Sequence, residues 1–323
     1  MLRLFRLLAL IAPAAIALPA MAGPAHALDG VVASIKPVHS LVAAVMEGEG
    51  EPALIVRGAG SGHAHTLRPS DAEALEQARI VFRIGPGMET FLNAPLATLA
   101  AGAEVVSLAD APGVVTLPLR AGGAFEAHAH DNDDDDDDHD HSHDHDHGHD
   151  APDLHVWLDP VNAQAMVAAI AQALGEVDPA NAAHYAANAK AYSARIDALI
   201  GELRATVEPV RSRPAIVFHD AYRYFEARFG LNVAGSITIS PEVAPGAQRL
   251  SEIRDKVREL GAVCVFSEPQ FEPRLVSVVT EGSDARTGVL DPLGADIPDG
   301  PELYLDLMRN LARSFATCLS RSG

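Results

Sequence analysis

The amino-acid sequence predicts an α/β protein of two lobes that are joined by one long connecting helix. Two patterns carry this prediction. Short runs of β-branched residues alternate with helical stretches in both halves of the chain, which is typical of parallel sheets. Between the halves, apolar residues recur every three or four positions along one uninterrupted stretch, as they do on one face of a helix. The length of 323 residues suits two domains, and 48% hydrophobic residues supply their cores.

The first 27 residues have the composition of a secretory signal peptide. Arg3 and Arg6 precede an apolar run at residues 7–18, and small-x-small cleavage patterns end at Ala27 and, alternatively, at Ala22. The run is shorter than the ~20 residues that a membrane span needs. Because no Cys follows it that could carry a lipid, we expect a mature chain that is free in an oxidising, exported compartment, most simply a bacterial periplasm.

The amino lobe is predicted over residues 28–160. Its strands are expected at residues 31–35, 54–56, 80–84, 105–106 and 154–158. Its helices are expected near residues 38–46, from a capping box at residues 70–73, and near residues 88–100.

Connecting helices are predicted over residues 161–210. The longer one is expected at residues 179–208, because Asp178 and Pro179 suit the N-cap and the first helical position, and Pro209 ends the pattern. One apolar stripe runs along this helix: Tyr185, Ala189, Tyr192, Ile196, Leu199, Leu203 and Val207. Such a helix is long enough to pass along both lobes.

The carboxyl lobe is predicted over residues 211–323. Its strands are expected at residues 215–218, 235–239, 263–267 and 288–290, and its helices near residues 221–229, 247–260, 273–280 and 301–319. Cys264 and Cys318 are the only cysteines, and an even pair in an exported protein indicates one disulfide. A metal site or a redox pair is the alternative, although the spacing suits neither.

The formal net charge of −20 argues against nucleic acid as a partner and favours cations. The acidity is concentrated in residues 126–150, which hold one Glu, eleven Asp and eight His without Lys or Arg, and so carry −12. From His139 to His149 a histidine stands at every second position. Such a segment cannot bury apolar surface, and we expect a disordered insertion in the amino lobe.

Six histidines lie outside the signal peptide and this insertion: His39, His63, His65, His155, His184 and His219. Three of them, His63, His155 and His219, lie in or just after predicted strands, as does Asp291. Ligands of open α/β sheets bind at the carboxyl ends of the strands. Three imidazoles and one carboxylate suit tetrahedral Zn²⁺, so these four residues predict a metal site in the cleft between the lobes.

Six segments of the sequence resemble the zinc-binding ZnuA family of periplasmic solute-binding proteins of ABC importers. They are residues 63–71, 154–160, 217–225, 241–250, 266–271 and 290–294. The resemblance implies that His63, His155 and His219 bind zinc and that the cysteines form the disulfide of the carboxyl lobe. Asp291 matches a position that supplies a fourth ligand in some members, whereas water or a loop carboxylate takes that place in others. His63 matches the family histidine better than His65 does.

The function that the resemblance implies is capture of Zn²⁺ and its delivery to a membrane ABC permease with a cytoplasmic ATPase, by a monomer that is not an enzyme. Because metal binding requires neutral imidazoles, acid should weaken it. Two other functions are compatible with three histidines. One is a zinc buffer or chaperone without a permease, and the other is a zinc hydrolase that activates water at an open position.

The acidic insertion has two interpretations. As an accessory zinc collector or sensor it would use His139, His141, His143, His145, His147 and His149. Insertions of this kind are common in zinc-type members of the family that the chain resembles. The alternative is a solvated insertion without a role.

Overall fold

A computed structural model of the chain describes residues 27–120, 125, 151–238, 245–261, 264–271 and 274–320. Over these residues the predicted α/β class is confirmed. Two parallel four-stranded sheets lie in separate lobes, and helices pack against them. Residues 1–26 of the predicted signal peptide and the acidic insertion at residues 126–150 lie outside the described residues.

The amino lobe is built on a sheet with the strand order β2-β1-β3-β4, in which all neighbours are parallel. Its elements are β1 (Val31–Ala33), α1 (Lys36–Val45), β2 (Ala53–Leu54), α2 (Pro69–Glu76), β3 (Ile80–Arg83), α3 (Asn93–Thr98) and β4 (Glu104–Ser107). The central strands β1 and β3 are almost wholly buried, which explains their unbroken apolar sequence. A short antiparallel pair follows, β5 (Leu117–Pro118) with β6 (Pro152–Asp153), which the sequence did not predict.

Two helices connect the lobes, α4 (Pro160–Val177) and α5 (Ala182–Val207). The seven residues of the apolar stripe on α5 are all buried, as predicted. Helix α5 packs against α1 of the amino lobe. It also packs against α9 (Leu303–Ser320), the last helix of the carboxyl lobe, so α5 contacts both lobes.

The carboxyl lobe has the strand order β10-β9-β7-β8, again parallel throughout. Its remaining elements are β7 (Pro214–His219), α6 (Arg223–Phe229), β8 (Asn232–Thr238), α7 (Ala247–Leu260), β9 (Cys264–Ser267), α8 (Arg274–Thr280) and β10 (Arg286–Val289). Cys264 and Cys318 form a disulfide that ties β9 to α9.

The strand expected at residues 154–158 is wrong. Val156–Leu158 form a turn of 3₁₀-helix, in which Leu158 N–H donates to His155 O, and Asp159 caps α4 directly afterwards. All three residues are buried, so the apolar run that suggested a strand reflects complete burial of a helical turn. Periodicity alone does not separate these two cases in a short apolar run.

Two helices are shorter than their sequence patterns suggest. The long helix begins at Ala182 and not at residue 179, because Asp178 accepts hydrogen bonds from Asn181 and from the Tyr185 hydroxyl in a turn before the helix. The helix expected at residues 88–100 is divided into a 3₁₀-turn at Thr90–Leu92 and α3.

One continuous hydrophobic core runs through both lobes and the connecting helices. A second, smaller cluster lies on the other face of the carboxyl-lobe sheet, under α7 and α8. The lobes therefore share apolar surface and are not separate bodies on a hinge. Removal of that surface from water, at about 25 cal/mol per Å², opposes any wide opening of the cleft.

Buried polar contacts add to this attachment of the lobes. Lys36 of α1 is 4% exposed, and its ammonium donates to the carbonyl oxygens of Ala295 (3.1 Å) and Ile297 (2.7 Å). The Trp157 indole N–H of the amino lobe donates to Pro292 O at 2.8 Å. The loop after β10 is thus held against the amino lobe at several points. Within the described ranges, no helix combines the length and the apolar character needed to cross a bilayer.

Loss of the disulfide should destabilise the protein without disturbing distant parts of the fold. The pair closes a loop with a sequence separation of 54 residues. The chain-entropy model gives about 4 kcal/mol for such a loop. We expect the double variant Cys264→Ala, Cys318→Ala to lose roughly that amount in denaturant unfolding. An unchanged free energy of unfolding would contradict the expectation.

Candidate metal centre

Three chain segments each place one histidine at the junction of the lobes. His63 lies in the Gly-rich loop between β2 and α2, His155 lies in the turn after β6, and His219 is the last residue of β7. His219 therefore occupies the carboxyl end of a parallel strand, which is where α/β sheets bind ligands. His155 and His219 are 7% and 3% exposed, and His63 is partly buried.

The three imidazoles converge through their Nε2 atoms. His155 Nε2 lies 3.1 Å from His63 Nε2 and 3.3 Å from His219 Nε2. Among the described residues, these three histidines form the group of metal-ligand side chains whose ligand atoms all lie within 4.8 Å of one another. Tetrahedral zinc with Zn–N bonds of about 2.0–2.1 Å requires ligand nitrogens roughly 3.3 Å apart. The observed separations fit one such ion.

In two of the three rings, a carboxylate lies against Nδ1, the nitrogen that faces away from the other imidazoles. His155 Nδ1 lies 2.7 Å from Asp153 Oδ1, and His219 Nδ1 lies 2.7 Å from Glu268 Oε1. When Nδ1 donates its hydrogen to a carboxylate, the lone pair of Nε2 is left for a metal, and the ring orientation is fixed. These two carboxylates therefore prepare both rings for coordination through Nε2.

The protonation of the rings follows their surroundings. Burial, and then the neighbouring His155 and His219 rings, lower the pKa of His63 to about 2. Burial also acts to lower the pKa of His219, but the Glu268 carboxylate outweighs it, and the pKa of His219 is raised. His63 is consequently neutral at ordinary pH, which is the form that binds metal.

The loop that carries His63 is anchored by a buried carboxylate, Asp71 on α2. Asp71 accepts hydrogen bonds from Arg68 N–H (2.9 Å) and Arg57 Nη1 (2.8 Å), and His65 Nε2 lies 3.5 Å from its Oδ2. Burial alone would raise the pKa of Asp71, but these partners outweigh it and lower that pKa. His65 thus faces the anchor of the loop, and His63 is the one that joins the other two imidazoles.

Asp291 lies outside the histidine group, and both of its oxygens are engaged in its own loop. Oδ1 accepts hydrogen bonds from the N–H groups of Leu293 and Gly294 and from the Gln270 amide, and Oδ2 accepts one from Ala295 N–H. A carboxylate with these partners organises the turn that follows β10.

The two remaining histidines also lie outside the group. His39 Nε2 lies 3.1 Å from Pro52 O, and burial lowers the pKa of that imidazole. His184 is exposed on α5, and its Nδ1 lies 2.6 Å from Glu49 Oε1. The six histidines of residues 139–149 lie outside the described residues.

Sequence reasoning missed the supporting role of Asp153 and Glu268. A usable signal existed for both. Glu268 directly follows β9, at the same edge of the sheet as His219, and Asp153 stands two positions before His155. The carboxyl-end rule that selected Asp291 applies equally to Glu268.

A small cavity of about 20 Å³ adjoins the three histidines. Besides the imidazoles, its walls include Met88, Trp157, Phe271 and Leu293. Trp157 packs on the His155 ring, with 5.3 Å between the ring centroids. Since one water needs roughly 10–15 Å³ of such space, the cavity is the size of a water molecule or a single ion.

The sequence matches a family model over nearly its whole length. The model, described as zinc-uptake complex component A, periplasmic (ZnuA), covers residues 31–318. The chain belongs to the ZnuA family. A ZnuA of Brucella suis, described as a high-affinity zinc uptake system protein, is 59% identical over 308 residues, which are 91% of this chain and 92% of the relative. A ZnuA of Paracoccus denitrificans is 40% identical over 96% of this chain and 99% of the relative.

Solved structures share the ZnuA fold. A crystal structure of ZnuA matches with a TM-score of 0.71 and 25% identity, over 91% of this chain and 99% of that one. The binding protein FpvC of Pseudomonas aeruginosa, in complex with Mn²⁺, matches with a TM-score of 0.74 and 22% identity over 91% and 99% of the two chains. Both likenesses extend over about nine-tenths of this chain and show a shared fold.

Removal of the Glu268 carboxylate should weaken metal binding through His219. An outer-shell partner of a metal-binding histidine contributes about 10–100-fold to metal affinity. We expect Glu268→Ala to lose zinc affinity in that range, measured by competition with a chelator. Glu268→Gln, which keeps an oxygen acceptor and nearly the same volume, should lose less. Equal affinity in wild type and Glu268→Ala would contradict this role.

Proposed function

We propose that the protein captures Zn²⁺ with His63, His155 and His219 and delivers it to a membrane ABC permease. The observation that carries this proposal is the convergence of the three Nε2 atoms at separations of 3.1 and 3.3 Å. The relatives from Brucella suis and Paracoccus denitrificans, both described as high-affinity zinc uptake proteins, support the same cargo.

The donor set favours zinc over a harder cation. Three imidazole nitrogens and apolar walls suit a borderline-soft ion, whereas Mn²⁺ and Mg²⁺ prefer more oxygen ligands. Asp291 is the oxygen ligand that the sequence suggested, but its oxygens hold the loop after β10. We therefore assign the fourth coordination position to water, for which the adjoining cavity of about 20 Å³ has room.

The same cavity argues for capture and against hydrolysis. A zinc hydrolase needs an open metal position beside space for its substrate and a base for the attacking water. A space of about 20 Å³ holds an ion or a water but no organic molecule. One oxygen of each carboxylate nearest the rings, Asp153 Oδ1 and Glu268 Oε1, lies against the Nδ1 atom of His155 or His219 and orients that ring.

Delivery requires release, and the shared core of the lobes limits how release can occur. Wide separation of the lobes would expose apolar residues of α1, α5 and α9 together. We infer that docking to the permease shifts a ligand-bearing loop and leaves the lobes together. The His63 loop is a suitable candidate, because its anchor at Asp71 lies within the amino lobe. We further place the mature, monomeric protein in the periplasm, where it meets the permease whose ATPase lies in the cytoplasm.

The site assignment is tested by competitive metal titration of His219→Ala. Loss of a direct ligand should cost more than the roughly 10–100-fold that outer-shell changes cost. His184→Ala removes an imidazole outside the group and should keep wild-type affinity. Unchanged tight zinc binding in His219→Ala would overturn the assignment. Zinc uptake in cells that have the permease and ATPase, compared with cells that lack them, separates delivery from simple buffering.

The acidic insertion is proposed as an accessory zinc collector. The segment holds eight histidines, and imidazole is a common zinc ligand. Deletion of residues 126–150 should remove several weak zinc equivalents and leave one tight equivalent, measured by calorimetric titration. If tight binding disappears with the insertion, the insertion and not the histidine group carries the main site.

A further inference from the structure

Arg120 joins two carboxylates across the lobes. It lies just after β5 of the amino lobe, and its guanidinium donates to Asp220 and Glu226 of the carboxyl lobe. Nε donates to Asp220 Oδ2 at 3.0 Å, Nη1 donates to Glu226 Oε2 at 2.7 Å, and Nη2 donates to one oxygen of each carboxylate. All three nitrogens are used, so the pairing is bidentate on both sides, which is the strong and geometrically specific form.

One of these carboxylates is adjacent to a metal-site histidine. Asp220 follows His219 in the chain, and a tight turn, in which Ala221 N–H donates to His219 O, fixes the two residues relative to each other. Helix α6 begins at Arg223, three residues after Asp220, and carries Glu226. A displacement of Asp220 therefore displaces the backbone of His219. Arg120 is the amino-lobe group that holds Asp220 in place.

The arrangement depends on the positive charge of Arg120. Asp220 and Glu226 are 7% and 8% exposed, and burial, together with the charge of Asp220, raises the pKa of Glu226 to about 7 against the opposing effect of Arg120. The Phe125 ring covers the guanidinium, with 3.9 Å from Cζ to the ring centroid. Without Arg120, two buried carboxylates would face each other uncompensated, which is strongly unfavourable.

Another cross-lobe ion pair on α6 provides a comparison. Arg228 donates to both oxygens of Asp159, at 2.8 and 2.6 Å. This pair also attaches α6 to the amino lobe, but it lies at the far end of that helix from His219. Loss of the Arg228–Asp159 pair should therefore weaken the attachment of the lobes without changing the position of His219.

We propose that Arg120 is a positioning residue of the metal site, which sets His219 Nε2 against the amino-lobe ligands and thereby slows the release of zinc. The inference rests on the proposed zinc site. Arg120 does not touch the metal. It acts through Asp220, as outer-shell groups do when they orient a ligand from a distance. The effect should therefore be on the dissociation rate and on the coordination geometry.

The test separates positioning from stability. Arg120→Met alone leaves two buried carboxylates uncompensated and is expected to impair folding, so the informative variant combines it with Asp220→Asn and Glu226→Gln. We expect this triple variant to unfold close to the wild-type temperature. It should nevertheless release zinc to a chelator about tenfold faster in stopped-flow experiments, the lower end of outer-shell effects. Its Co²⁺ complex should also show a shifted visible absorption spectrum, because that spectrum reports ligand geometry.

Two controls complete the experiment. Arg120→Lys keeps the charge and loses the bidentate geometry, and should release zinc at a rate between wild type and the triple variant. Arg228→Met with Asp159→Asn should lower the unfolding temperature and leave the release rate and the Co²⁺ spectrum unchanged. A triple variant with the wild-type rate and spectrum overturns the proposal, as does an equal acceleration in the Arg228 control. Absence of tight zinc binding in the wild type refutes the proposed function instead.

Discussion

The structure depends on one constraint, which is the close approach of three imidazole nitrogens from three distant chain segments. Separations of 3.1 and 3.3 Å between Nε2 atoms must be kept between rings that belong to two lobes. Burial and the two neighbouring imidazoles both disfavour a charged His63 ring, and the pKa of His63 is low for this reason. The rest of the fold supplies the rigidity that this arrangement needs.

That rigidity comes from two sources of different strength. The continuous core through both lobes and α5 prevents large displacements, since opening would expose apolar surface. Hydrogen bonds and ion pairs then determine the orientation of the individual histidine rings. Asp153 and Glu268 orient the rings of His155 and His219, and buried cross-lobe contacts such as that of Lys36 fix the backbone around them. Binding a small cation tightly requires both.

One error of sequence reasoning lies beside the site. Residues 154–158 form a 3₁₀-turn where a strand was expected, because complete burial makes a turn and a strand equally apolar. Asp291 follows a strand, as the sequence predicted, and its oxygens accept hydrogen bonds from N–H groups of its own loop. Whether a carboxylate is free or occupied depends on backbone groups whose positions no spacing in the sequence reveals.

The sequence by itself determined the α/β class, the two lobes, the apolar stripe of the long helix and the histidines that could meet, because periodicity and strand ends are local properties of a chain. It also singled out the cysteine pair. Only the tertiary structure decided that Asp153 and Glu268 support the rings and that Arg120 reaches Asp220. These contacts join residues up to 100 positions apart, and their existence depends on how two lobes pack.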